Sequence, residues 1–420
     1  MLVRVAAKGG APRLYRLPAL TELAGALRGR LPAVDRIVGA DDADGLLFVR
    51  TTKGDVLAYD FESGRSDTVA TGVEMATLGP DGTLFTVDTK RRVVSYARRS
   101  RTAWPQPLPA MPQALFAGSD QRLIAVTAQH QPELLSETVD QPAVMRPFPP
   151  SAGVDASRWG DEVASATDSG VFLVEPLGHR APAFVALADH PTAVVFSPAG
   201  HRLYVTRRGE MGLAVVDRFT REEMDGIALP GLVRAVRLDP LGRWLLARAA
   251  TGDSIWVVDL PPKTFSGSVA SSWGDDLPAV APDGTLLVRQ GADVAAYRPD
   301  SLRQEGRVSG GGADLWVTTG WIPSGSSRSA ALADAPGPAA AAGDTTAGAL
   351  YVQVSISQNQ AWSEGMAQQL TRAGLTARVL PPTSGDDGYR VVLGPYATRE
   401  QAEDIGRKLG RPYWIYQPPQ

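Results

Sequence analysis

The sequence predicts an all-β, seven-bladed β-propeller over residues 1–322, a flexible linker over 323–349, and a C-terminal α+β module of ferredoxin-like βαββαβ order over 350–420. Three observations carry this reading. A strand–turn–strand pattern recurs about every forty residues, the period of propeller blades. A stretch poor in large apolar residues interrupts the chain before residue 350. Beyond it the apolar spacing changes from a period of two to a mixture of two and 3.6, the periods of strand and helix.

The clearest copies of the repeat are Ala193 to Asp217 (AVVFSPAGHRLYVTRRGEMGLAVVD), Val236 to Asp259, Val280 to Tyr297 and Leu78 to Tyr96. Weaker copies are Ala40 to Asp60, Phe116 to Leu135 and Trp159 to Glu175. Their tight turns fall at Gly45, Gly82, Gln121, Gly160, Gly200, Gly242 and Gly284, between 37 and 42 residues apart. Asp-Gly and Pro-x-Gly turns need positive φ, which glycine adopts without a Cβ penalty. The flanking strands alternate or run apolar, so a lone sheet would leave a face exposed. Radial stacking buries both faces and leaves only short edges. Leu2 to Val5 and Arg13 to Leu17 at one end, and Leu315 to Trp321 at the other, are expected to pair and close the ring. Asp60, Asp217 and Asp259 recur at the end of one strand of the repeat; recurrence across blades points to turn formation and away from a carboxylate pair for glycoside hydrolysis. The run Phe196-Ser197-Pro198, Gly200 and Leu203-Tyr204-Val205-Thr206 resembles YVTN-type propellers, related in shape to WD40 propellers. Arg207 replaces the family's Asn, so the resemblance is one of fold pattern.

Residues 323–349 (PSGSSRSAALADAPGPAAAAGDTTAGA) consist mostly of Ala, Gly, Ser, Pro and Thr. Such a segment cannot bury enough surface to fold and is expected to act as a tether. After it, Tyr351 to Ile356 reads as a strand. Ala361 to Ala373 reads as a helix with Trp362, Met366, Leu370 and Ala373 on one face, and Gly374 as its stop. Thr376 to Leu380 and Tyr389 to Leu393 read as strands. Thr398 to Leu409 reads as a helix opened by a Thr398–Gln401 capping box, and Tyr413 to Tyr416 as the last strand. The two helices would cover one face of a four-stranded sheet and leave the other open.

Tyr351-Val352-Gln353-Val354 and Tyr389-Arg390-Val391-Val392-Leu393-Gly394-Pro395-Tyr396, followed by Thr398-Arg399-Glu400-Gln401-Ala402-Glu403, resemble the bacterial SPOR domain over the whole module. The resemblance implies binding of peptidoglycan glycan strands stripped of their stem peptides, as found at division septa, through the open sheet face. It also implies glycan contact by Gln353 and Arg390. Strand alternation places Tyr351 and Ser355 beside Gln353, and Val392 beside Arg390. An amide can donate to and accept from hydroxyl and acetamido groups, and a guanidinium presents a planar fork of donors. Trp414 or Tyr416 would stack on a pyranose ring. Two features depart from the family: Ser355-Ile356-Ser357 follows the first motif, and Gly388 sits where some members carry an aromatic. The resemblance places the protein in the periplasm or cell envelope, although Met1 to Arg30 lack the apolar core of a signal peptide.

The remaining features exclude more than they assign. A net charge of −3 and the absence of cysteine argue against a charge-driven nucleic-acid partner and rule out disulfides and thiolate metal sites. His130, His179, His190 and His201 are scattered, so no metal and no cofactor are expected. No phosphate-binding loop, dinucleotide fingerprint or nucleophile elbow is present. No run of eighteen apolar residues provides a membrane span. An RNA-binding reading of the βαββαβ order is disfavoured by the balance of seven basic and six acidic residues in 350–420. Arg91-Arg92 and Arg207-Arg208 read as solvated loop charges. The expected protein is a non-catalytic peptidoglycan binder whose propeller serves as a scaffold for a protein or ligand partner; the alternative is a wall-processing enzyme with its site in the propeller.

Overall fold

The structure is a computed structural model of the chain. It describes residues 1–118, 121–126, 132–135, 143–144, 153–158, 160–176, 181–323, 350–357, 360–372, 375–382, 389–399, 401–402, 405 and 414–417. It is nearly all β.

Eight four-stranded antiparallel sheets occupy residues 2–318 among the described residues. In chain order the first comprises Thr21–Glu22, Arg13–Arg16, Leu2–Val5 and Leu315–Thr318. The others follow at 34–70, 73–103, 114–144, 153–186, 191–227, 233–270 and 279–308. The middle strands are apolar almost throughout because both faces are buried. In Leu46–Thr51, Leu46 and Phe48 pack toward the third sheet, while Leu47 and Val49 pack toward the first. The same alternation links every neighbouring pair, from Phe85 with Leu123 to Leu246 with Leu286. Between the eighth sheet and the first, Leu287 and Val294 meet Leu2, Tyr15 and Trp316, which closes the ring.

The expected count of seven blades is corrected to eight sheets. The terminal segments do pair as anticipated, Leu2 with Thr318 and Val5 with Leu315. Thr21–Glu22 adds an outer strand to Arg13–Arg16, so the seam is a complete sheet of its own. Its fit is polar as well as apolar. Arg4 pairs with Asp314 at 2.7 Å, and Arg289, held by Asp276 at 2.8 Å, also donates to Asp314 O at 2.8 Å.

All seven turn positions read from the repeat have positive φ, from 58° at Gln121 to 86° at Gly284. Side chains at the turn starts hold the loops: Asp239 accepts from Leu241 N–H and Trp244 N–H, and Ser197 Oγ from Arg202 N–H. Asp60 and Asp217 act as the recurrence implied, accepting from Ser63 N–H and from Phe219 N–H and Thr220 N–H. Asp259 instead faces Arg243 at 3.5 Å. Arg207 differs from its expected solvated role: its side chain is 8% exposed and pairs with Glu210 and Glu223.

The C-terminal sheet contains Leu350–Ser357, Ala377–Leu380, Tyr389–Tyr396 and Trp414–Tyr416. Its order is second, third, first, fourth, with all neighbours antiparallel. The helix Gln360–Arg372 packs on one face through Ala367, Leu370 and Met366. Thr398 Oγ1 accepts from Gln401 N–H, the capping bond expected at the second helix start. Ala402 and Ile405 join the same core. Gly374, Leu409 and residues 324–349 lie outside the described residues.

Candidate functional site

Alternation along Leu350–Ser357 sorts the side chains between two faces. Val352 and Val354 join Val391 and Leu393 under the helix. Tyr351 turns the other way and packs with Leu380, Val392 and Tyr416. Gln353 lies opposite Val392 on one neighbour and Trp414 on the other. A register shift between Gln353 and Ser355 sets Ser355 opposite Val391, so strict alternation stops there.

On the helix-free face, Arg390 Nη1 donates to Gln353 Oε1 at 2.7 Å. The Arg390 guanidinium lies 4.8 Å from the Tyr416 ring centre, within cation–π range. Arg378 lies 5.2 Å over the Tyr351 ring and donates to Gly394 O at 3.0 Å. The two residues singled out by the sequence motif thus touch each other, although 37 positions separate them.

The face is covered, contrary to the open sheet expected from the order of elements. Gln353 is 7% exposed and Ser355 5%. A cleft of about 450 Å³ lies between this face and the turns of the sixth and seventh sheets. Gln353, Ser355, Arg390 and Tyr416 line one wall. Pro198, His201, Phe219 and Leu241 are among the residues of the other. The physical reason is that the Ser197–Gly200 turn and its neighbour at Leu241 present small and apolar groups that a half-apolar sheet face can approach. Tyr351 and Val392, both 0% exposed, sit beneath the cleft and do not line it. Trp414 holds its register position opposite Gln353, and its side chain lies outside the described residues. The second wall has no local sequence signal, because it comes from residues more than 90 positions away that serve the repeat equally well.

Polar groups around the cleft are unevenly satisfied. Ser355 Oγ and Arg202 Nε, one on each wall, are buried without a hydrogen-bond partner among the described residues. Behind Phe219, Arg218 bridges Asp161 at 2.7 Å and Glu162 at 2.5 Å. Burial opposes the Arg218 charge, but the two carboxylates outweigh it and raise its pKa. Burial raises the Glu162 carboxyl against the pull of Arg218.

Elsewhere, burial pushes Asp155 up to about 6 while its Oδ2 accepts from Phe196 N–H at 2.8 Å, tying the fifth sheet to the sixth. No group of three or more His, Asp or Glu side chains that could hold a metal occurs among the described residues. No helix among them is long and apolar enough to cross a membrane.

Residues 346–411 match the SPOR domain family. No curated protein matches the chain. The dihydro-haem d1 dehydrogenase NirN, solved in complex with DHE, is similar in structure with a TM-score of 0.54 and 14% identity, covering 74% of this chain and 73% of NirN. Apo AztD from Citrobacter koseri is similar with a TM-score of 0.52 and 13% identity, covering 76% of this chain and 99% of AztD. A second structure of Citrobacter koseri AztD has a TM-score of 0.53 and 13% identity, covering 75% of this chain and 96% of its own. These neighbours are β-propeller proteins and agree with a propeller fold for the N-terminal region.

Proposed function

We propose that this is a non-catalytic cell-envelope protein that binds peptidoglycan glycan strands, denuded of stem peptides, through residues 350–420. The SPOR domain is a binding domain and suggests peptidoglycan as the target. The observation that carries the finer reading is the Gln353–Arg390 hydrogen bond on the helix-free sheet face. It joins the two side chains that the family resemblance assigns to sugar contact. In this reading Gln353 and Arg390 bond the sugar's amide and carboxylate or hydroxyl oxygens. Tyr351, Ser355 and Val392 support these two side chains from beneath, and Trp414 stacks at the edge.

The same proposal divides the chain into a propeller at 1–322, a tether at 323–349 and a ferredoxin-like module at 350–420. Each of the eight sheets is read as one blade. The propeller serves as a scaffold for a protein partner, in the periplasm and at sites of cell division where glycans lose their peptides. A tether would let both parts engage at once.

The test is a pull-down with purified sacculi, untreated and amidase-stripped. The full chain is expected to sediment with stripped sacculi in preference to untreated ones, and deletion of 350–420 is expected to abolish it. Retained binding after that deletion would refute the assignment.

A further inference from the structure

We infer that the glycan cleft is composite, with the propeller supplying its second wall and Phe219 serving as a stacking platform for a pyranose ring opposite Gln353 and Arg390. This rests on the glycan-binding reading above and extends it to residues outside the SPOR-like module.

Three observations converge. The cleft's volume of about 450 Å³ falls within the range of pockets that enclose small ligands. Its walls are complementary in the way a sugar requires. One presents an amide and a guanidinium, Gln353 and Arg390, for the polar rim of an amino sugar. The other presents Pro198, Phe219 and Leu241, which suit the C–H face of the ring.

Phe219 is a large apolar side chain left 38% exposed at a turn that lines the cleft. It is held in place. Its N–H donates to Asp217 at 2.8 Å, and the Arg218 guanidinium, fixed by Asp161 and Glu162, lies 5.6 Å from its ring centre. A platform fixed before the ligand arrives loses little freedom on binding.

The experiment uses the full-length protein and a fluorescently labelled glycan oligomer prepared from amidase-stripped peptidoglycan. Phe219→Ala, outside the clusters that join the sheets, is expected to leave the melting curve unchanged and to weaken binding about five- to tenfold. Phe219→Trp is expected to keep or tighten it. Arg390→Ala is expected to lose at least tenfold. Tighter binding by Phe219→Ala would overturn the inference by showing that the propeller obstructs the sheet. Unchanged affinity in Phe219→Ala, together with loss in Arg390→Ala, would overturn the composite cleft and leave the sheet-face reading intact. Absence of binding by the unaltered protein would overturn both.

Discussion

Replacing Trp316 with alanine tests the ring's closure. Trp316 is 1% exposed and lies in the strand Leu315–Thr318, which the far end of the propeller region contributes to the first sheet. Its Nε1 donates to Gly311 O at 2.9 Å, its ring centre is 5.7 Å from that of Tyr15, and Arg4 lies 5.5 Å from it. Truncating a buried aromatic to alanine costs about 3–5 kcal/mol through lost transfer energy and the cavity left behind. Leaving Gly311 O without its donor adds about 1 kcal/mol. Taken together, roughly 4–6 kcal/mol on a large domain corresponds to a melting point lower by on the order of 10 °C. Scanning calorimetry of the full chain measures this directly. Trp321→Ala, whose ring stacks on Phe61 at 5.0 Å but is only partly buried, serves as the control and should shift less. A drop of under about 2 °C for Trp316→Ala would refute the placement of Leu315–Thr318 inside the ring.

Removing Arg218 leaves Glu162 and Asp161 with an uncompensated buried charge; Arg218→Ala is expected to cost about 3–5 kcal/mol in a denaturant titration, and adding Glu162→Gln should restore part of it. Asp155 has a folded-state pKa of about 6, above its ordinary 3.8, so the native state keeps a proton that the unfolded chain releases. Stability is therefore expected to fall by on the order of 3 kcal/mol as pH rises from about 4 to about 6. Asp155→Asn should flatten that part of the pH–melting profile; an unchanged slope would count against the assignment. Gly284 has φ +86°, and a Cβ added there would meet nothing within 4 Å, so Gly284→Ala should cost only backbone strain. That is about 1–2 kcal/mol. At Gly160, φ +68°, an added Cβ would meet Gly118 Cα at 2.6 Å, so Gly160→Ala should lower the melting point by clearly more.

Much of the ring is legible in the sequence because its signals are local. Each repeat carries a turn that requires positive φ, and the middle strands carry apolar residues on both faces, so turn chemistry and period agree. Even Gln121, the one turn position without glycine, has φ 58°. The count of blades is not legible in the same way, because the innermost strand of the first sheet, Leu315–Thr318, and its neighbour Leu2–Val5 lie at opposite ends of the region, so the turn that marks every other repeat is absent between them. In the C-terminal module the four expected strands and the first helix fall within a residue or two of those observed, except that Tyr389–Tyr396 continues past Leu393; most of the expected second helix lies outside the described residues. The pairing of Gln353 with Arg390 is readable as two residues on one face. The covering of that face is not, because it depends on how Pro198, Phe219 and Leu241 meet the sheet in space. No periodicity encodes such a meeting.

The seam also sets a timetable for synthesis. Leu2–Val5 leaves the ribosome more than 300 residues ahead of its inner neighbour, which is not available until residue 318 has emerged. At ordinary elongation rates that interval lasts on the order of a minute or less. Throughout it, the nascent chain carries an unpaired apolar strand edge, a template for pairing with the wrong partner. Chains released before residue 315 would keep that edge permanently, so premature termination would yield an aggregation-prone product even when seven of the eight sheets had already been made.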